Sequence, residues 1–184
     1  MRESVDIKNR GTRIIEETFR AKQAGHFGLF TLADLALLID EEPSDAFTKF
    51  ISRFTKTGSL ERVARGIYIN PLCPPNTPGV LEKIASLLHW QHFFYASLES
   101  ELSNHGLISQ ITIQYLSLMT KGRSGRHATK YGTVEFTHTK RSVESLKNSV
   151  YFDLKTGIFR ATKQQAIIDL KRVGRNVDML VEEE

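Results

Sequence analysis

The chain has 184 residues, 40% hydrophobic and 25% charged, the balance of a folded globular protein with length for one large or two small cores. Its net charge of +4 and pI near 9.2 lean toward a polyanionic partner. The single cysteine, Cys73, excludes an intramolecular disulfide and a cysteine-rich zinc site; no apolar run reaches the ~18 residues of a membrane span, and MRESVDIKNRGTR lacks the apolar core of a secretory signal, so a cytoplasmic protein is expected.

In chain order, Asn9 to Gln23 reads as a first helix with Ile14, Ile15, Thr18 and Phe19 as its inward stripe, ended by Gly25 and Gly28. Phe27 and Phe30 read as hydrophobic plugs ahead of a second helix that Thr31 caps, with Leu32, Leu35, Ala36 and Ile39 inward. Asp40 to Pro43 form a turn. Ser44 then caps a third helix whose apolar positions, Phe47, Phe50, Ile51 and Phe54, fall at i, i+3, i+4 and i+7, one buried stripe. The opposite face carries Thr48, Lys49, Ser52, Arg53 and Lys56, hydroxyls and cations of the kind that meet phosphates and base edges.

Gly58 stops that helix, and two short strands, Leu60 to Val63 and Ile67 to Ile69, are joined through Ala64, Arg65 and Gly66, where glycine supplies the positive φ of a tight turn. This is the pattern of a wing, with Arg62 and Arg65 placed to hold a phosphate backbone. Three helices and a hairpin define a winged helix-turn-helix over residues 1–71. A merely solvated charged face, or a winged helix used for protein contact, is the alternative.

Residues 72–79, with Pro74, Pro75, Pro78 and Gly79 following Pro71, read as a semi-rigid linker. Beyond it, residues 80–184 alternate between helical and strand patterns: a helix from Val80 to Trp90, a strand from Phe93 to Ala96, a helix capped by Ser97 and stopped at Gly106, and a strand from Ile111 to Met119. Tyr131 to His138 alternates with Val134 and Phe136 on one face. Two further strands, Val150 to Leu154 and Gly157 to Ala161, flank a Lys155–Gly157 turn, and a capping box of Thr162 and Gln165 opens a helix to Val173. The expected class is α+β: a winged helix-turn-helix followed by a mixed α/β domain.

Between the middle strands lies TKGRSGRHATKYG, whose Lys121, Arg123, Arg126 and Lys130 among glycines suit an anionic partner, either nucleic acid or an acidic protein face, unless the loop is a solvated hairpin tip. It lacks the spacing of a P-loop. His89 and His92 could share a helix face at i and i+3, but no third ligand stands nearby, so no metal site is assigned. Glu135, Asp153 and Lys155 loosely suggest a Mg²⁺ nuclease, a reading that requires the two carboxylates to converge. No nucleophile and histidine pair is legible, no catalytic residue is assigned, and no cofactor is expected.

Three pieces of the chain, ARGIYINP, YASLESELSNHGLIS, and TKGRSGRHATKYGTVEFTH with IFRATKQQAIIDL, resemble the AbiEi-type antitoxins of type IV toxin-antitoxin systems over nearly its whole length. The resemblance implies a winged helix that binds double-stranded promoter DNA at repeats and represses its own transcription. It also implies a second domain that counters a nucleotidyltransferase-like toxin. Gln164 and Gln165 depart from the family pattern, standing where an acidic and a basic residue are usual; Asp169 matches it and reads first as a structural hydrogen-bonding group. A stand-alone winged-helix transcription factor is the remaining alternative.

Overall fold

The apolar stripes collect into two cores, and the chain divides accordingly into two compact units, Met1–Val80 and Leu81–Glu184. The computed structural model describes residues 2–76, 78–108, 114–174 and 176–177, with side chains from residue 9 onward.

The first unit contains α1 (Arg2–Gln23), β1 (Phe30–Thr31), α2 (Leu32–Leu38), α3 (Asp45–Thr55), β2 (Glu61–Ala64) and β3 (Ile67–Ile69). It is a winged helix-turn-helix. Ile14, Leu35, Ala36, Ile39, Phe47, Phe50, Ile51 and Phe54 form its core together with Leu60 and Tyr68 of the wing. The first helix begins earlier than its apolar stripe suggested, and Phe19 is 42% exposed rather than inward. Thr18 of the same stripe is fully buried as expected, its hydroxyl donating to the Ile14 carbonyl at 2.6 Å.

A short strand escaped the sequence reading. Phe30 is not only a plug: with Thr31 it pairs antiparallel to β3, giving a sheet ordered β1-β3-β2. Two residues carry too little periodicity to announce a strand. The proline-rich segment also does more than link, because Asn70 is buried and its amide donates to the Ile15 carbonyl and the Thr18 hydroxyl, while Cys73 and Pro75 are buried too.

The second unit contains α4 (Val80–Leu88), β4 (Phe94–Ala96), α5 (Leu98–Asn104), β5 (Tyr115–Thr120), β6 (Gly125–Thr129), β7 (Gly132–His138), α6 (Val143–Leu146), β8 (Val150–Asp153), β9 (Ile158–Ala161) and α7 (Lys163–Val173). Its strands form one mixed sheet ordered β6-β7-β5-β4-β9-β8, with β5–β7 and β4–β9 parallel and the other pairs antiparallel. Tyr95, Leu98, Leu102, Met119, Ala161, Ala166 and Leu170 form the main core cluster. The part of the expected strand from Ile111 to residue 113 lies outside the described residues. The middle of the basic segment is no loop but edge strand β6, paired with β7.

Two caps differ from expectation, and for one reason. The hydroxyl of Ser97 makes no cap bond but donates to Asp169 Oδ2 at 2.8 Å, and the Gln165 amide donates to Asp169 Oδ1 at 2.7 Å rather than turning back to Thr162. Asp169 is fully buried, and each unmade bond to it would cost more than an unmade cap bond at a helix end open to water. The Thr162 hydroxyl still accepts from Gln165 N, so half of that box forms.

Candidate nucleic-acid interface

α3 is started by Ser44, whose hydroxyl accepts from Phe47 N at 3.1 Å, and is set into the core by its four apolar residues. Helical geometry then turns Thr48, Lys49, Ser52, Arg53 and Lys56 outward, and all five are exposed. The Thr48 hydroxyl donates to the Ser44 carbonyl at 3.0 Å, so toward a ligand it acts as an acceptor.

The orientation of α3 is held from α1. The Arg10 guanidinium lies 4.3 Å over the Phe50 ring and pairs with Glu41 in the turn before α3, and Arg13 donates to the Ile39 carbonyl at 2.9 Å. Asp40 in that turn has φ 59°, a left-handed conformation that aspartate tolerates better than most side chains. α2 is anchored by a full capping box, Thr31 with Asp34.

On the wing, Arg62 and Arg65 are exposed, and Gly66, at φ 73°, turns the chain between β2 and β3. Arg62 Nε donates to the Ala64 carbonyl at 3.1 Å across a register shift in β2, which fixes its stem along the wing.

In the second unit the four cations of the basic segment do not form one cluster. Lys121 is half-buried, its ammonium donating to the carbonyls of Thr139 and Arg141 at 3.1 and 2.9 Å. Arg123 is exposed in the turn before β6. Arg126 is exposed on β6 opposite Glu135, with its guanidinium 5.7 Å over the Tyr115 ring. Lys130 follows the far end of that strand, roughly 17 Å from its start.

The nuclease reading is overturned. Glu135 lies on β7 and Asp153 on β8, with β5, β4 and β9 between them, roughly 19 Å at ordinary strand spacing and far beyond metal-bridging distance. Each carboxylate has another task. Glu135 accepts from the Tyr115 hydroxyl. Asp153 accepts from the Thr156 hydroxyl at 2.6 Å and from Arg160 Nε at 2.8 Å, which hold its carboxyl down at about 2. Arg160, 9% exposed, also donates to Glu101 and Glu82, so one guanidinium ties β8, β9, α5 and α4 together.

His89 and His92 follow the end of α4 and share no helix face. The His89 ring stacks on Phe136 with centroids 3.6 Å apart, and its Nδ1 meets the Thr120 hydroxyl at 3.1 Å. Burial, then the neighbouring His92 and His127, push its pKa down. Among the described residues no group of three His, Cys, Asp or Glu side chains could hold a metal. None of their helices is long and apolar enough to cross a membrane.

Arg10, Asn70 and Arg160 were invisible to sequence reading because each acts on partners dozens of residues away. A third helix with an exposed, largely cationic and hydroxyl side, a second helix packed before it and a two-stranded wing define the first unit as a winged helix. Residues 20–71, from the end of α1 through the wing, match the family described as transcriptional regulators of the AbiEi antitoxin type. A comparison with curated proteins finds no match.

Proposed function

We propose that this protein is a cytoplasmic antitoxin and transcriptional autorepressor of a type IV toxin-antitoxin system. Residues 1–71 bind its own promoter as double-stranded DNA, and residues 80–184 form the part that counters a nucleotidyltransferase-like toxin. α3 enters the major groove with Thr48, Lys49, Ser52, Arg53 and Lys56, while Arg62 and Arg65 of the wing hold the flanking backbone.

The observation that carries this reading is the sidedness of α3: Phe47, Phe50, Ile51 and Phe54 are all buried, and beyond Asp45 in the first turn, the one acid of the helix, the opposite face is hydroxyl and cation. A helix turned this way presents donors to acceptor-rich base edges and charge to phosphate.

The test is binding of the full chain to DNA from upstream of its own reading frame. Arg53→Ala and Arg65→Ala should each weaken binding about tenfold. Parent-like affinity in both variants would overturn the assignment of this face. Rescue from a co-expressed nucleotidyltransferase-like toxin tests the second half, and co-purification separates neutralisation by contact from an indirect route. Promoter binding without rescue would favour the stand-alone transcription factor.

A further inference from the structure

Strand direction gathers three stretches of the second unit at one end of its sheet. β5 and β7 run parallel and both finish there, while β4 and β6, antiparallel to them, both start there. The stretches are 89–94, 120–127 and 137–142, and their sequences contain lysine, arginine, histidine and tryptophan but no aspartate or glutamate. They are tied to one another. Lys121 N donates to the Phe93 carbonyl at 2.9 Å, His138 N donates to Ser124 Oγ at 2.8 Å, and a Cβ on Gly122 would stand 2.7 Å from His92 Cδ2.

Arg123 and Lys140 are exposed on these stretches, and Lys121 adds its charge from a half-buried position, whereas Arg126 reaches back over the Tyr115 ring at the start of β5, opposite Glu135. Beside them Trp90 is 76% exposed, two residues from His92. Positive charge alone would suit any polyanion. An indole left in water gives up a large burial gain, and among cations it supplies what a base needs, an aromatic face to stack on between two held phosphates. Duplex bases have their faces covered by their neighbours, so only an unpaired strand can use it.

We propose that this end of the sheet binds single-stranded nucleic acid, with Trp90 stacking on a base and Arg123 and Lys140 holding the adjacent phosphates. The surface is built from residues of the second unit, and the proposal does not rest on promoter recognition.

Trp90 is the single tryptophan of the chain, so its emission reads the site directly. The full-length protein is titrated with a 12-nucleotide oligo-dT, the matching oligo-U, a duplex of unrelated sequence and poly-glutamate. Quenching by either single strand, with the duplex and the polypeptide much weaker, is the expected result, and the tighter of the two strands names ribose or deoxyribose as the source. By anisotropy with labelled strand, Trp90→Ala should bind about tenfold more weakly, and Trp90→Phe should recover most of that loss. Arg123→Ala should reduce the slope of log affinity against log salt by about 0.7. Unquenched emission with parent-like binding by Trp90→Ala would overturn the proposal, as would equal quenching by duplex or poly-glutamate. Promoter affinity of the same Trp90→Ala protein reports on the α3 reading independently.

Discussion

Gly11 of α1 lies against the ring of Phe54 of α3, so closely that a Cβ on Gly11 would stand 2.5 Å from Phe54 Cε2. Glycine within a helix costs about 1 kcal/mol relative to alanine, yet here it lets α1 approach the helix that presents the cationic face. That contact, with Arg10 over Phe50, makes α1 the support against which α3 is aimed.

Gly11→Ala should therefore destabilise the first unit although alanine is the better helix former. Overpacking of this kind costs about 1–3 kcal/mol. Thermal or urea unfolding followed on that unit reads the change, and a variant as stable as the parent would show that Phe54 yields without cost.

Lys49 lies on the exposed face of α3. Lys49→Ala should weaken binding to promoter and to unrelated duplex by the same factor, with the salt slope reduced by about 0.9. Loss confined to the promoter would instead place Lys49 on a base edge.

Arg160 holds Glu101, which is 1% exposed, together with Glu82 and Asp153. Arg160→Met strands a buried carboxylate and should cost about 3–5 kcal/mol, with part of it recovered in the double variant Arg160→Met, Glu101→Gln. Equal stability of the single and double variants in denaturant would mean that Glu101 finds another partner.

The two aspartates of the second unit should respond to pH in opposite directions. The Thr156 hydroxyl and then Arg160 hold Asp153 down at about 2, below the unfolded value of 3.8. Its contribution is therefore present above pH 3.8 and lost as pH falls toward 2. Burial pushes Asp169 up despite hydrogen bonds from Ser97, Tyr95 and Gln165, so its contribution is greatest below pH 3.8 and declines as pH rises through its folded value. The stability gap between parent and Asp153→Asn should close on acidification from pH 4, whereas the gap for Asp169→Asn should narrow as pH rises from 4. Melting curves across pH 3 to 8 check both signs, and parallel gaps would refute the assignment.

The sequence by itself determined what is local. The α3 stripe, its Ser44 cap, the Gly66 turn, the Gly106 stop and the winged-helix order of elements are set by residues within about four positions of one another, where helix period, cap chemistry and allowed φ leave few choices. Only the tertiary structure decided which distant groups meet: Asp169 with Tyr95 and Ser97, Arg160 with Glu82 and Glu101, Asn70 with Thr18. It also separated Lys130 from Arg123 by making an edge strand of the residues between them, and it brought the stretch with Trp90 to the same end of the sheet as the cations of two other turns. The physical reason is that strand pairing and buried polar networks are chosen by partners far along the chain, and a sequence window contains only one side of each such pair.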